Sequence, residues 1–292
     1  MGKAVFARRA LMVLAGLAGM ALATPAVAAP PLWKVSDADS TMYLFGTVHV
    51  LRPETQWRTP ALEAALNDAG EVWFELDPKR LEDPAQMGRM LPLMMDLPRP
   101  LSTKLSPELR ARVAEVATSV GANPAQLEPF KPAPAAVILA SLALGRSGYS
   151  PDSGVDKVLR AAIADRPVRE FETVEQQTRF IADMPEEVQI ALLETGLEDL
   201  ADLGRLDKVV DSWAKGDLSA MEELFLTDLM TEHPAAYDIF LRARNTAWTE
   251  TLDAELKGAG SDFVAVGALH LVGPDGLPTL LAARGYKVER VN

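Results

Sequence analysis

Met42-Tyr43-Leu44-Phe45-Gly46-Thr47-Val48-His49 is an apolar run that ends in Gly-x-x-His. A second run of the same build, Phe263-Val264-Ala265-Val266-Gly267-Ala268-Leu269-His270, stands near the other end of the chain. The sequence holds three histidines, and these two motifs contain two of them. Each run is short, apolar and rich in β-branched or aromatic residues, which predicts a strand. A glycine near a strand's end admits a close neighbour or a turn. A histidine three residues later falls just past the strand's carboxyl end, where open α/β sheets place their ligand crevices. One Gly-x-x-His arises easily by chance, and its plain reading is a polar loop residue after a strand. Two copies that use two of three histidines point instead to one shared site, closed by bringing the ends of the chain together.

Working outward, Leu32-Trp33-Lys34-Val35 reads as a first strand. Asp37-Ala38-Asp39-Ser40 is a turn, and Thr41 to Phe45 returns to complete a hairpin. Thr59-Pro60-Ala61 opens a helix with a good N-cap and a proline at the first helical position, and Gly70 stops it. Glu71 to Asp77 is the next strand. Strand, helix and strand in this order predict a βαβ unit whose two strands pair in parallel. Residues two apart in a strand share a face, so Glu75 and Asp77 are expected to point the same way at the carboxyl edge that carries His49. The plain alternative for both is a solvated strand end before the Asp77-Pro78 turn.

Residues 79–257 read as a large, mostly helical insertion between the first and last strands. Met87, Met90, Met94 and Met95 cluster among prolines; methionine fills irregular cores, and a smaller case exists for a flexible lid. Ala133 to Leu144 is apolar all round, which predicts a buried helix. Gly154-Val155-Asp156 starts another helix, where Asp156 most simply answers the helix dipole. Pro167 to Thr173 is a short strand that Glu172 ends, much as Glu75 ends its own. Amphipathic helices follow at Pro185–Leu203, Leu206–Lys215, Leu218–Met230 and Ala235–Leu256. His233 lies in the loop between the last two, and Arg244 lies within the last, where an arginine is usually solvated. A helix over about 274–284 and a strand at 287–291 close the chain.

Residues 1–28 have the form of a cleavable secretory signal: Lys3, Arg8 and Arg9, then the apolar Leu11–Ala23, then Ala26-Val27-Ala28. The apolar stretch is short for a membrane span. With no cysteine in the sequence there is neither lipoprotein attachment nor disulfide, so stability rests on an ordinary core. The remaining residues, 29–292, suit one domain and carry 26 basic against 41 acidic side chains, a net charge of −15. That surface repels nucleic acid and anionic membrane, so neither is expected as a partner. The expected location is the periplasm or the exterior.

Absent motifs narrow the chemistry. There is no thiol nucleophile, Walker loop, Gly-x-Gly-x-x-Gly, Gly-x-Ser-x-Gly elbow or His-Glu-x-x-His helix. Two histidines and several strand-end carboxylates remain. Two imidazoles and one carboxylate with an open position form a catalytic metal set. Such an ion polarises a carbonyl and acidifies water; a second carboxylate can take a proton, and an arginine can hold an oxyanion. Oxygen and imidazole donors without thiolate suit Mn, Fe, Co or Zn alike.

The ordered set of motifs resembles the TraB/GumN family and, through it, the Tiki proteases and the erythromycin esterase/ChaN-like superfamily. The resemblance spans nearly all of 29–292. It rests on Tyr43 to His49, Trp57-Arg58-Thr59-Pro60-Ala61-Leu62, Glu75-Leu76-Asp77, Gly154-Val155-Asp156, Phe171-Glu172-Thr173 with Gln176-Gln177, Arg244-Asn245, and Val266 to Gly273. It implies a mixed, largely parallel α/β sheet core built from the N- and C-terminal parts, with a helical insertion. It further implies a metal-dependent hydrolase-like site, most simply a peptidase. His49, Glu75 and His270 would be the metal ligands, with Glu172 or another carboxylate as base, Arg244 on the oxyanion, and Asp156 less firmly placed. The expected partner is a peptide or small-molecule substrate. The alternative is a binding protein without turnover, for a peptide signal or for haem or iron.

Overall fold

In a computed structural model, residues 29–201 and 203–292 are described, with Leu203 described by its backbone alone. The segment read above as a secretory signal lies outside the described residues. The fold is mixed α/β, with one six-stranded, largely parallel sheet. Its strands are β1 (Leu32–Ser36), β2 (Ser40–Thr47), β3 (Glu71–Phe74), β4 (Val168–Glu170), β5 (Gly260–Gly267) and β6 (Lys287–Arg290). Their spatial order is β4-β3-β5-β2-β1-β6. The hairpin β1–β2 is antiparallel, with Leu32 opposite Phe45, and its turn is fixed by Asp37, whose Oδ1 accepts from the Ser40 amide and hydroxyl. Strand β6 adds antiparallel to β1; β2, β5, β3 and β4 run parallel.

One expectation is corrected here. Strands β2 and β3, joined by the helix Pro60–Asp68, do not pair with each other, because β5 from the far end of the chain lies between them. The reason is visible in β5 itself. Phe263, Val264, Ala265 and Val266 are all fully buried, so this strand needs a sheet neighbour on each edge and a helical layer on each face. Phe263 and Ala265 pack with Phe45, Phe74, Leu62 and Trp213 on one face. Val264 and Val266 pack with Trp73, Trp248, Leu252 and Leu277 on the other.

The other elements follow the sequence signals closely. Thr59 caps its helix through Leu62 N, and Ser106 caps Pro107–Ser119 through Leu109 N. The helix Pro132–Arg146 is not buried on all sides. It packs into a satellite core with Leu193 and Leu197 of the helix Glu186–Ala201, leaving Val137 and Leu142 exposed. Of the methionine cluster, Met90 packs on Leu76 and Val174, while Met87 is exposed. Two helical stretches near the C-terminal end each contain a π-helical turn, Glu222–Leu226 and Asp238–Arg242. His233 lies between them, 3.1 Å from the Thr195 hydroxyl. Among the described residues no helix is long and apolar enough to cross a membrane.

At the start of β5, Asp262 sits beside Glu71 of β3 in register. Burial, with Glu255 and Glu71 nearby, pushes its carboxyl up to about 6. The folded state therefore holds a proton that the unfolded chain has released, and stability falls as pH rises from the ordinary value of 3.8 to about 6. Asp262→Asn should raise the unfolding free energy from urea denaturation at pH 7 by less than about 1 kcal/mol, given solvent screening. The gain should vanish below the ordinary value; an equal gain at both pH values would refute the cause.

Candidate functional site

The site is a consequence of register. In the parallel pair β2–β5, Gly46 lies opposite Val266 and Thr47 opposite Gly267. The two Gly-x-x-His segments therefore leave adjacent strands side by side at the carboxyl edge. On the other side of β5, Phe74 lies opposite Ala265, so Glu75, the next residue, reaches the same edge. The Glu172 amide donates to the Glu75 carbonyl at 2.9 Å and brings the end of β4 alongside. Strand β3 stops at Phe74, and Asp77 does not share the site. Its carboxylate caps the turn Pro78–Glu82 and pairs with Arg160 Nε at 2.8 Å.

The two motif glycines do different work. A Cβ at Gly46 would stand 3.1 Å from both Cα and Cβ of Ala268, so the bare backbone lets the His270 turn settle against β2. A Cβ at Gly267 would stand 3.1 Å from Glu75 Oε1, 3.6 Å from His270 Cδ2 and 3.8 Å from His49 Nε2. Gly267 thus leaves open the space these three side chains surround.

Each imidazole is oriented through Nδ1. His49 Nδ1 lies 2.8 Å from Asp156 Oδ2, and Thr47 Oγ1 donates to Asp156 Oδ1 at 2.8 Å. Asp156 is in the first turn of the helix Val155–Ala162, but its side chain serves the histidine and the strand end, not a cap. His270 Nδ1 lies 2.5 Å from Asn245 Oδ1. Asn245 Nδ2 donates to the carbonyls of Asp275 and His270, so its oxygen is the acceptor and His270 carries its proton on Nδ1. Both Nε2 atoms are left for the site, the arrangement by which a partner at Nδ1 prepares a histidine ligand.

Arg244 stands among these groups with all five of its N–H donors engaged. Nε and Nη2 bind Glu172 Oε1 and Oε2 at 2.7 and 2.8 Å, Nη2 also binds Glu75 Oε2 at 2.6 Å, and Nη1 binds His270 Nε2 at 3.1 Å and the Phe240 carbonyl at 3.0 Å. Its Cζ lies 4.6 Å from the Trp248 ring centre and 5.5 Å from that of Phe180. Glu172 also accepts from Trp248 Nε1 and Gln177 Nε2, so both its oxygens are committed within the cluster. Glu75 Oε1 accepts from the Gly267 amide at 2.6 Å and stands 3.5 Å from His270 Nε2.

The charges differ across this small space. Burial pushes His270 down to about 3, so it is neutral at neutral pH. Burial alone would raise Glu75, but the positive groups around it hold its carboxyl below the ordinary range. With His270 neutral, Arg244, His49 and the Gly267 amide supply that pull. His49 is raised to about 9, chiefly by Asp156, although 65% of its side chain is open to solvent, which screens the pair.

Of the residues singled out from the sequence, His49, Glu75, Asp156, Glu172, Arg244 and His270 fall in this cluster, and Asp77 does not. Asn245, Gln177, Trp248 and Thr47 belong to it as well but were given no role by sequence reasoning. Trp248 lies one helical turn beyond Arg244, a spacing that a helical wheel could have grouped with it. As for a metal, the donor types and their Nδ1 partners fit one, and so does the space over Gly267. The spacing is incomplete: among the described residues no three His, Asp or Glu side chains are gathered closely enough to hold an ion, and Arg244 occupies the gap between Glu75 and His270.

The profile of the TraB/PrgY/gumN family matches residues 31–290. The chain belongs to that family. It is 27% identical over 183 residues to the "Uncharacterized protein YbaP" of Escherichia coli (strain K12), covering 62% of this chain and 67% of that protein. The protein of the same name from Shigella flexneri matches to the same extent. No solved structure matches. Within this TraB/PrgY/gumN chain, the raised His49 makes a checkable pH signature. A folded value above the ordinary 6.5 stabilises the protein fully below 6.5, and the contribution is lost as pH rises through about 9. Melting temperatures across that window should fall more for the parent than for Asp156→Asn; parallel curves would show that the pair has no such effect.

Proposed function

We propose that this chain is an exported, metal-dependent hydrolase, with peptides as its substrate class. His49 and His270, through Nε2, and Glu75, through Oε1, would hold a divalent ion, with Mn, Co, Fe and Zn all compatible with the donors. The observation that carries this reading is the paired orientation of the two imidazoles. A carboxylate fixes one at Nδ1 and an amide fixes the other, and His49 Nε2, the His270 ring and Glu75 Oε1 all lie within 4 Å of where a Cβ on Gly267 would stand. The ion would supply Lewis acidity toward a carbonyl and a lowered pKa for water. The choice of peptides rests on the resemblance to the Tiki proteases.

The chain's own residues divide the remaining work. Asp156 and Asn245 set the two imidazoles and turn both Nε2 atoms inward; His49 would give up its Nε2 proton to an entering ion. Trp248 packs against His270, with ring centres 4.4 Å apart and planes tilted by 38°. Glu172 and Gln177 hold Arg244, the cation available to a developing oxyanion. Glu172, bound on both oxygens, positions that arginine and is not the base. His49 faces solvent, so substrate would meet the site from its side.

His49→Ala and His270→Gln should each abolish metal uptake, measured by elemental analysis of the purified protein. They should also cut cleavage of a broad peptide library by about 10²-fold or more, with the far-ultraviolet dichroism unchanged. Asp156→Asn should weaken metal binding by about 10–100-fold. Parent-like cleavage by both histidine variants would defeat the proposal. Export is checked separately, by finding the protein outside the cytoplasm only when residues 1–28 are present.

A further inference from the structure

We infer that Arg244 is a built-in competitor of the metal, whose guanidinium must leave His270 Nε2 before an ion can enter. The inference rests on the reading of His49, Glu75 and His270 as ligands. One of those ligand atoms, His270 Nε2, is already bound by Arg244, which also holds Glu75 through its other oxygen, Oε2. Arg244 Nη1 donates to the His270 Nε2 lone pair at 3.1 Å, and Nη2 donates to Glu75 Oε2 at 2.6 Å. A lone pair that accepts a hydrogen bond cannot at the same time coordinate a metal. In that arrangement Arg244 is also unavailable to an oxyanion, since each of its five donors has a partner.

The surroundings let the guanidinium withdraw without being stranded. Its contacts fall into two groups. Those to Glu75 and His270 face the site. Those to Glu172, through Nε and Nη2, and to the Trp248 and Phe180 rings hold it from behind. Giving up the first group leaves a two-point pair with Glu172 intact. The helix that carries Arg244 begins directly after the π-helical turn Asp238–Arg242, and Phe240 of that turn accepts the second Nη1 hydrogen. Such turns can absorb small shifts of the backbone that regular helix resists. Withdrawal would free one hydrogen on Nη1 and one on Nη2, both on the side of the open space. Metal entry would thus release the donors that an oxyanion needs, and an empty site would keep its arginine locked. The charge balance agrees: the guanidinium is one of the positive charges that offset Glu75, and a divalent ion would take over that share.

The test is binding of Mn²⁺ by equilibrium dialysis, with Co²⁺ visible absorption as a second readout of coordination. The double variant Glu172→Gln/Arg244→Met removes one charge of each sign, so a change in affinity cannot come from net charge alone. It should bind Mn²⁺ more tightly than the parent, on the order of tenfold. Low-millimolar guanidinium chloride, refilling the vacated space, should reverse the gain, while equal sodium chloride should not. If the double variant does not fold, Arg244→Lys decides. Its ammonium keeps the charge but cannot reach His270 and Glu75 together, so its affinity should also rise. Affinity equal to or below that of a metal-binding parent would overturn the competition and leave the ligand reading standing. Absence of Mn²⁺ and Co²⁺ binding in parent and folded variants alike would overturn the ligand reading, and the competition with it.

Discussion

The parallel pairing of β2 with β5 joins segments that are almost the whole chain apart and sets everything at the site. Its register places Thr47 against Gly267, so two Gly-x-x-His segments emerge from neighbouring strands at one edge. Pairing of such distant segments has a high closure cost, which burial must offset. The fully buried run Phe263–Val266 supplies that burial, and removing Phe45 or Phe263 from the shared core would be felt at the site before anywhere else. Gly46 shows the same dependence at the scale of one atom. The His270 turn lies so close to it that a methyl group there would meet the backbone of Ala268.

Most of this was legible in the chain, and the exceptions have physical causes. The strand character of both histidine runs, the cap at Thr59 and the hairpin of β1 with β2 are local signals and could be read locally. The insertion of β5 between β2 and β3 could not, because sequence order favours neighbours in the chain as neighbours in space and says nothing of a strand that arrives two hundred residues later. Asp77 misled for a related reason. The two-residue period holds only while the strand lasts, and the chain turns after Phe74. Ala133–Leu144 looked buried all round, yet an apolar helix at the edge of a satellite core can leave one face open, as Val137 and Leu142 show. Arg244 was the hardest to place, since an arginine in an amphipathic helix gives no local sign that two carboxylates and an imidazole await it.

Around Arg244 the molecule accepts a costly arrangement. Glu75 and Glu172 are both more than nine-tenths buried, and a single guanidinium answers both. Removing one partner from a buried pair typically costs about 3–5 kcal/mol, because the charge left behind has lost its compensation. The Trp248 and Phe180 rings add cation–π attraction and keep water out, which strengthens each bond in the cluster and raises the penalty for any that goes unmade. Such a network fixes geometry more than it adds stability, and geometry is what converging side chains from four separate strand ends require.

The difference between the two imidazoles follows from the difference between their partners. His49 meets a carboxylate at an open edge and is drawn toward the charged form. His270 meets an amide in a closed space and stays neutral. An aspartate at position 245 would have pulled a second proton onto His270 and placed an ion pair beside the Glu75–Arg244 cluster, where burial penalises each added charge. Asn245 fixes the tautomer as firmly as a carboxylate would, because its own amide hydrogens are spent on the carbonyls of Asp275 and His270. One residue type thus sets direction without adding charge, which is what a neutral, inward-facing nitrogen at that depth demands.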